Sequence, residues 1–270
     1  MAWTGSDMIL IAAIALVGGS LGGLLGLGGS VFIIPALTLC FGPNQHLYHA
    51  AALVANIFVA AAASMRHRGR GTIRRDIVPM MALAAASAAL LGVLVSNAIP
   101  AKPLMALFGA FLCYCATAEF ISLARRRPDQ QEPEARDSPR SLSAMIGALG
   151  GFASGLLGIG GGAIMVPLLR NYAKLPLRQA VASSAVAMIA ACLIGAIAKN
   201  ASVGSLHSAS GEPLSAKSSL VLAALLAPAA MLGGNLGATL VYRIPVNLTR
   251  ALLALLLAFA GTRMVLSGLS

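Results

Sequence analysis

The sequence predicts an all-α fold, a polytopic transmembrane helical bundle with two homologous repeats. Three observations carry that expectation. Hydrophobic residues make up 58% of the 270 and charged residues only 10%, with a mean hydropathy of +0.86. A water-soluble domain of this size cannot hide so much apolar surface. The apolar residues gather into long runs, several near the twenty or so residues that cross a hydrocarbon core about 30 Å thick. Finally, two glycine-rich stretches 132 residues apart are near copies. They are Gly23-Leu-Leu-Gly-Leu-Gly-Gly-Ser-Val-Phe-Ile-Ile-Pro35 and Gly155-Leu-Leu-Gly-Ile-Gly-Gly-Gly-Ala-Ile-Met-Val-Pro167, identical at seven of thirteen positions.

The apolar runs cover 8–40, 48–65, 77–96, 103–123, 143–169, 179–198, 217–242 and 246–268. Between the fourth and fifth lies Arg125 to Arg140, polar, of mixed charge and with three prolines, which reads as a linker. The chain thus divides into a first transmembrane repeat (1–124), a cytoplasmic linker (125–141) and a second repeat (142–270). Further markers support the duplication: Leu91-Gly92 and Ile99-Pro100 align with Leu236-Gly237 and Ile244-Pro245 at an offset of 145. The second half's thirteen extra residues fit best in the polar stretch Ala201 to Lys217.

Runs 8–40 and 143–169 are too long for one perpendicular crossing, and both hold a glycine cluster followed by a proline, Pro35 or Pro167. Each is either one kinked, tilted helix or a broken hairpin whose arms return to the starting side. Basic residues arbitrate, because cytoplasmic loops collect Lys and Arg. Two hairpins split the nineteen basic residues fifteen to four between the sides, whereas two single spans split them thirteen to six. The charge pattern favours hairpins, and with them each half crosses three times, so the repeats are inverted. This side preference also accounts for the net charge of +11 without a nucleic-acid partner.

Inverted repeats with Gly/Pro-interrupted segments in matching places point to a binding site at the interruptions. Lipid leaves broken backbone unsatisfied, so a break survives only where protein buries it or water reaches it. After each glycine cluster the chain re-enters a helix whose first N–H groups lack intrahelical partners, and the dipole there favours an anion. The candidate substrate-binding residues are Gly26, Gly28, Gly29 and Ser30 in the first half and Gly158, Gly160, Gly161 and Gly162 in the second. Pro35 and Pro167 are the accompanying structural breaks. Ser183 and Ser184, in an apolar helix, either donate to the ligand or bond back to their own helix. Asn56 is either interhelical glue or a ligand contact. Backbone donors are expected to dominate, since no Arg or Lys falls in this region. Glycines at G-x-x-x-G spacing, such as Gly19/Gly23 and Gly151/Gly155, equally suit close helix packing.

Other chemistries find little support. His46, His49, His67 and His207 cluster with no Asp, Glu or Cys, so no metal site is expected. No Gly-Lys-Ser/Thr or complete G-x-G-x-x-G occurs, and no cofactor is expected. The four cysteines lie in apolar runs as small hydrophobes, and no cleaved signal peptide is expected. Glu119 and Arg263 are the intramembrane charges of note.

The duplicated G-x-G-G-[SG]-x-x-x-x-P element, followed by Gln179-Ala-Val-Ala-Ser-Ser184, resembles the TauE/SafE sulfite exporter family, also called 4-toluene sulfonate uptake permeases. The resemblance covers about residues 8–268. It implies a multi-pass cell-membrane transporter of small inorganic or organic sulfur anions such as sulfite or sulfoacetate. One departure is that Ala51-Ala52 stands where Ser183-Ser184 has its first-half counterpart. Export by a secondary transporter is the expectation. The alternative is a non-transporting membrane scaffold or accessory subunit, with the glycines serving packing alone. An enzyme is not expected, for want of a nucleophile–base or metal constellation.

Overall fold

Each apolar run becomes helix, and each glycine cluster divides its run in two. The computed structural model describes residues 3–25, 28–68, 72–124, 139–208, 211, 213–240 and 246–269. The first run forms α1 (Gly5–Leu25) and α2 (Ser30–Phe41), followed by α3 (Gln45–Arg68), α4 (Val78–Ala98) and α5 (Ala101–Ala124). The second half repeats the order with α6 (Arg140–Leu157), α7 (Gly162–Asn171), α8 (Leu177–Ser202), α9 (Ala216–Leu240) and α10 (Val246–Leu269). Six of these (α1, α3, α4, α5, α8 and α9) are long and apolar enough to cross a membrane among the described residues. The chain is an all-α, multi-pass membrane protein. The residues 125–138 of the expected linker, with Gly26 and Arg243, lie outside the described residues.

Local chemistry sets the helix limits. Thr4 and Asp7 cap α1 reciprocally: the Thr4 N–H donates to Asp7 Oδ2 at 2.9 Å and the Asp7 N–H to Thr4 Oγ1 at 3.3 Å. Pro139 and Pro176 immediately precede α6 and α8, where the missing N–H costs nothing. Gly158, left-handed, ends α6 by donating its N–H to the Ser154 carbonyl at 2.8 Å.

Both long runs are hairpins. Gly18 of α1 lies against Gly29 and Ile33, and Gly22 against Gly28 and Gly29, so α2 runs back along α1. The rings of Trp3 and Phe41 then meet edge to face with centroids 5.2 Å apart. Gly150 of α6 likewise meets Gly161 and Met165 of α7. The helices run through the prolines: Pro35 lies inside α2 and Pro167 inside α7. The interruption falls at the glycines, because a proline only six residues into a helix removes one hydrogen bond without forcing a turn.

The hairpins pack on the opposite half. α1 lies along α9 and α6 along α4, while α9 also packs on α3 and α4 on α8. α3 meets α8, and α5 meets α10. Swapping each element for its counterpart returns the same set of pairs. Glycines make these seams close: a Cβ on Gly19 or Gly23 would strike the backbone of Ala230 or Gly234, and one on Gly151 or Gly155 that of Ala85 or Ala89. The G-x-x-x-G pairs therefore do pack helices, on a different face from the tips. α3 and α8 occupy the centre and are the most buried of the long helices.

Candidate functional site

The two hairpin tips meet inside the bundle. α2 leaves its tip toward the end where α3 begins, since the Tyr48 hydroxyl donates to the Gly42 carbonyl at 3.0 Å. α7 leaves in the opposite direction, and its Leu169 packs with Ile77 and Val78 at the start of α4. With 12 and 10 residues, these helices are roughly 18 and 15 Å long, about half the hydrocarbon thickness. Their N-termini therefore converge at mid-depth. Gly28 (φ 86°) abuts the Ile159 carbonyl and Met188, and Gly160 (φ 76°) abuts Met188 and Asn56. A side chain at either would be strained by its backbone angle and would collide with these neighbours.

Asn56 of α3 joins the tips. Its Nδ2 donates to Ser30 Oγ at 2.7 Å and to the Gly158 carbonyl at 3.2 Å, while the Ser30 N–H donates to its Oδ1 at 3.3 Å. Both side chains are fully buried. Of the backbone donors assigned from sequence, that of Ser30 is thus held by an amide oxygen. Gly29 and Gly161 occupy equivalent places. The Gly29 carbonyl accepts from Phe32 and Ile33, and that of Gly161 from Ile164 and Met165. Gly162 opens α7 and is buried.

The serines of α8 make their bonds elsewhere. Ser183 Oγ accepts the backbone N–H of Arg74 at 3.2 Å, and the Ser184 hydroxyl donates back to the Val181 carbonyl at 3.0 Å. Ser184 stands one turn before Met188, on the helix face turned to the tips. Arg74 in turn grips Asp76 through two bonds, of 2.9 and 2.6 Å, which hold that carboxyl below the usual carboxylate range. Beside this loop opens a cleft of about 960 Å³ lined by Ser64, Arg68, Arg74, Arg75, Asp76 and Val186 among others. The bundle therefore has a basic end, toward which α3 runs.

At the other end lies a charge just past the apolar run 179–198. Lys199 of α8 has no exposed surface. Its Nζ lies 3.0 Å from His46 Nδ1, 2.9 Å from Ser96 Oγ and 2.7 Å from Asn97 Oδ1. Ser96 Oγ also stands 3.4 Å from His49 Nδ1, and the His49 ring packs on Gly158. The detectable signal was His46/His49 spacing at the start of one central helix together with a lysine near the end of the other. By contrast, Arg263 is exposed and Glu119 half-buried.

These features define a polytopic helical membrane protein with paired re-entrant hairpins. The chain matches the model of the sulfite exporter TauE/SafE family over residues 10–264, and it belongs to that family. Similar proteins are named probable membrane transporters rather than enzymes. MamO of Paramagnetospirillum magneticum is 27% identical over 97% of this chain and 45% of its own length. YunE of Bacillus subtilis is 22% identical over 97% of this chain and 99% of its own. A Methanocaldococcus jannaschii protein is 30% identical over 66% and 67%, respectively. The chain spans about half the length of the MamO proteins it matches. No solved structure matches.

Proposed function

We propose that the protein is a secondary transporter exporting sulfite or a small organosulfonate across the cell membrane through two inverted halves. The observation that carries this reading is the convergence of α2 and α7, from opposite ends of the bundle, on one buried junction spanned by Asn56. The anion collects at the arginine-lined cleft and moves to the tips. There it takes the Ser30 N–H from Asn56 Oδ1 and the first N–H groups of α7 around Gly161 and Gly162. Asn56 Nδ2 and, one turn away on α8, the Ser184 hydroxyl add side-chain donors. Helix-end dipoles attract an anion without a full charge that would hold it too tightly to release. An inside-negative potential favours exit by about 2.3 kcal/mol per charge per 100 mV, so no nucleotide is required.

The test is efflux of sulfite and sulfoacetate from proteoliposomes holding only this protein. Wild type is expected to release at least one of them. Gly28→Leu and Gly160→Leu are expected to insert in the membrane and release neither, because each side chain fills the junction. Wild-type efflux from either variant at equal incorporation would remove the tips from the pathway. A scaffold would release neither anion with any variant.

A further inference from the structure

We infer that Lys199, with Gln45 and His46, forms a second anion station between the hairpin tips and the end of the bundle where α3 begins. This rests on the anion-transport reading and extends it to a residue and a place that reading does not use. Lys199 is a lysine in the bundle interior whose three short contacts all go to neutral acceptors. Among the described residues no Asp or Glu is buried. Buried charge is normally paired, because an isolated ammonium loses several kcal/mol of hydration. The protein supplies no counter-charge here, and a transported anion would.

A second observation comes from the residue next to His46. Gln45 is 1% exposed, and neither its amide nitrogen nor its amide oxygen has a hydrogen-bond partner. His49, one turn along on the same face of α3, sets its ring against Gly158. Unpaired buried polar atoms are rare and costly. The cluster also borders the tips: Ser30, Asn56 and Gly158 are joined by hydrogen bonds, as are His49, Ser96 and Lys199, and the two groups meet where the carbon edge of the His49 ring packs on Gly158. The ligand that fits is a small oxyanion rich in acceptors, sulfite or the head of a sulfonate, receiving N–H bonds from Nζ and the Gln45 amide. In binding it replaces His46 Nδ1 or Asn97 Oδ1 beside the ammonium. Those two neutral groups tie α8 to α3 and α4, so the exchange also loosens that end for release.

The experiment measures sulfite and sulfoacetate efflux against internal concentration, and the anion-induced rise of Tm in detergent, for wild type, Lys199→Met, Lys199→Arg and Gln45→Leu. Lys199→Met is expected to raise the half-saturating concentration about ten- to hundredfold, the loss of one charged hydrogen-bond donor. Gln45→Leu is expected to raise it about two- to tenfold, and Lys199→Arg to stay nearer wild type. Unchanged half-saturation in folded Lys199→Met overturns the inference while leaving transport standing. Should that variant not assemble, unchanged half-saturation in Gln45→Leu does the same. Wild-type protein that neither moves nor is stabilised by either anion sinks the transport reading, and this inference with it.

Discussion

Asn56 sits in a helix that is otherwise apolar for a turn or more on either side, and its amide bonds both tips. Its chemistry matters more than its size. Asn56→Asp keeps the shape and the acceptor for the Ser30 N–H but places a carboxylate where the anion is proposed to pass. A like charge at 4 Å costs about 4 kcal/mol at an effective dielectric of 20, so anion efflux should fall at least about a hundredfold. If Asn56→Asp released sulfite at the wild-type rate, the anion would have to pass elsewhere. The glycines around this residue were legible because they occur twice, and duplication separates them from ordinary packing glycines. Lys199 was not legible. A lysine ending an apolar run looks like one reaching for water until α3 and α4 are seen to cover it. For Ser183 and Ser184 the sequence leaves ligand and own helix as alternatives, because it cannot tell which neighbour a hydroxyl will choose. One accepts from Arg74 and the other bonds its own helix.

Among elements, the two glycine-rich hairpins present glycines on two separate faces. On α1, Gly18 and Gly22 face α2, whereas Gly19 and Gly23 lie on the backbone of α9. Substitutions at the seam and at the tip should therefore act differently. Gly19→Leu forces α1 off α9 and should lower stability by at least about 1–3 kcal/mol, visible as aggregation or a lower Tm in detergent. Gly28→Leu should fold far better and yet fail in efflux. Equal Tm for Gly19→Leu and wild type would mean that the α1–α9 seam tolerates separation. The helical runs themselves were readable from composition, to within a few residues. The choice between hairpin and kinked span was carried by the sides on which the nineteen basic residues fall, since the apolar run itself fits both. The break was readable only as far as the glycines, with Pro35 and Pro167 left inside their helices.

For the molecule as a whole, sidedness is the property that the inverted arrangement requires. Ser141, at the start of α6, and Ser205, after α8, are exposed at opposite ends of the bundle. In a background without Cys40, Cys113, Cys115 and Cys192, an impermeant thiol reagent should label Ser205→Cys from outside intact cells. Ser141→Cys should react only after the cells are opened. Labelling of both from one side would exclude the three-crossing second half. The duplication was plain in the sequence, and the expectation of inversion came from counting charges. How the halves engage was hidden, because the seams join small residues far apart in the chain, Gly23 to Gly234 and Gly155 to Ala89.

That exchange of partners between halves imposes an order in time. α6 finds α4 already made when it emerges, whereas α1 must wait for α9, roughly 200 residues later and on the order of 10–40 s at usual elongation rates. Throughout that interval the glycine face of the first hairpin meets lipid, or whatever attends a nascent chain. The last quarter of the protein is therefore what completes the first, and a ribosome that stops before α9 leaves a hairpin without its seat.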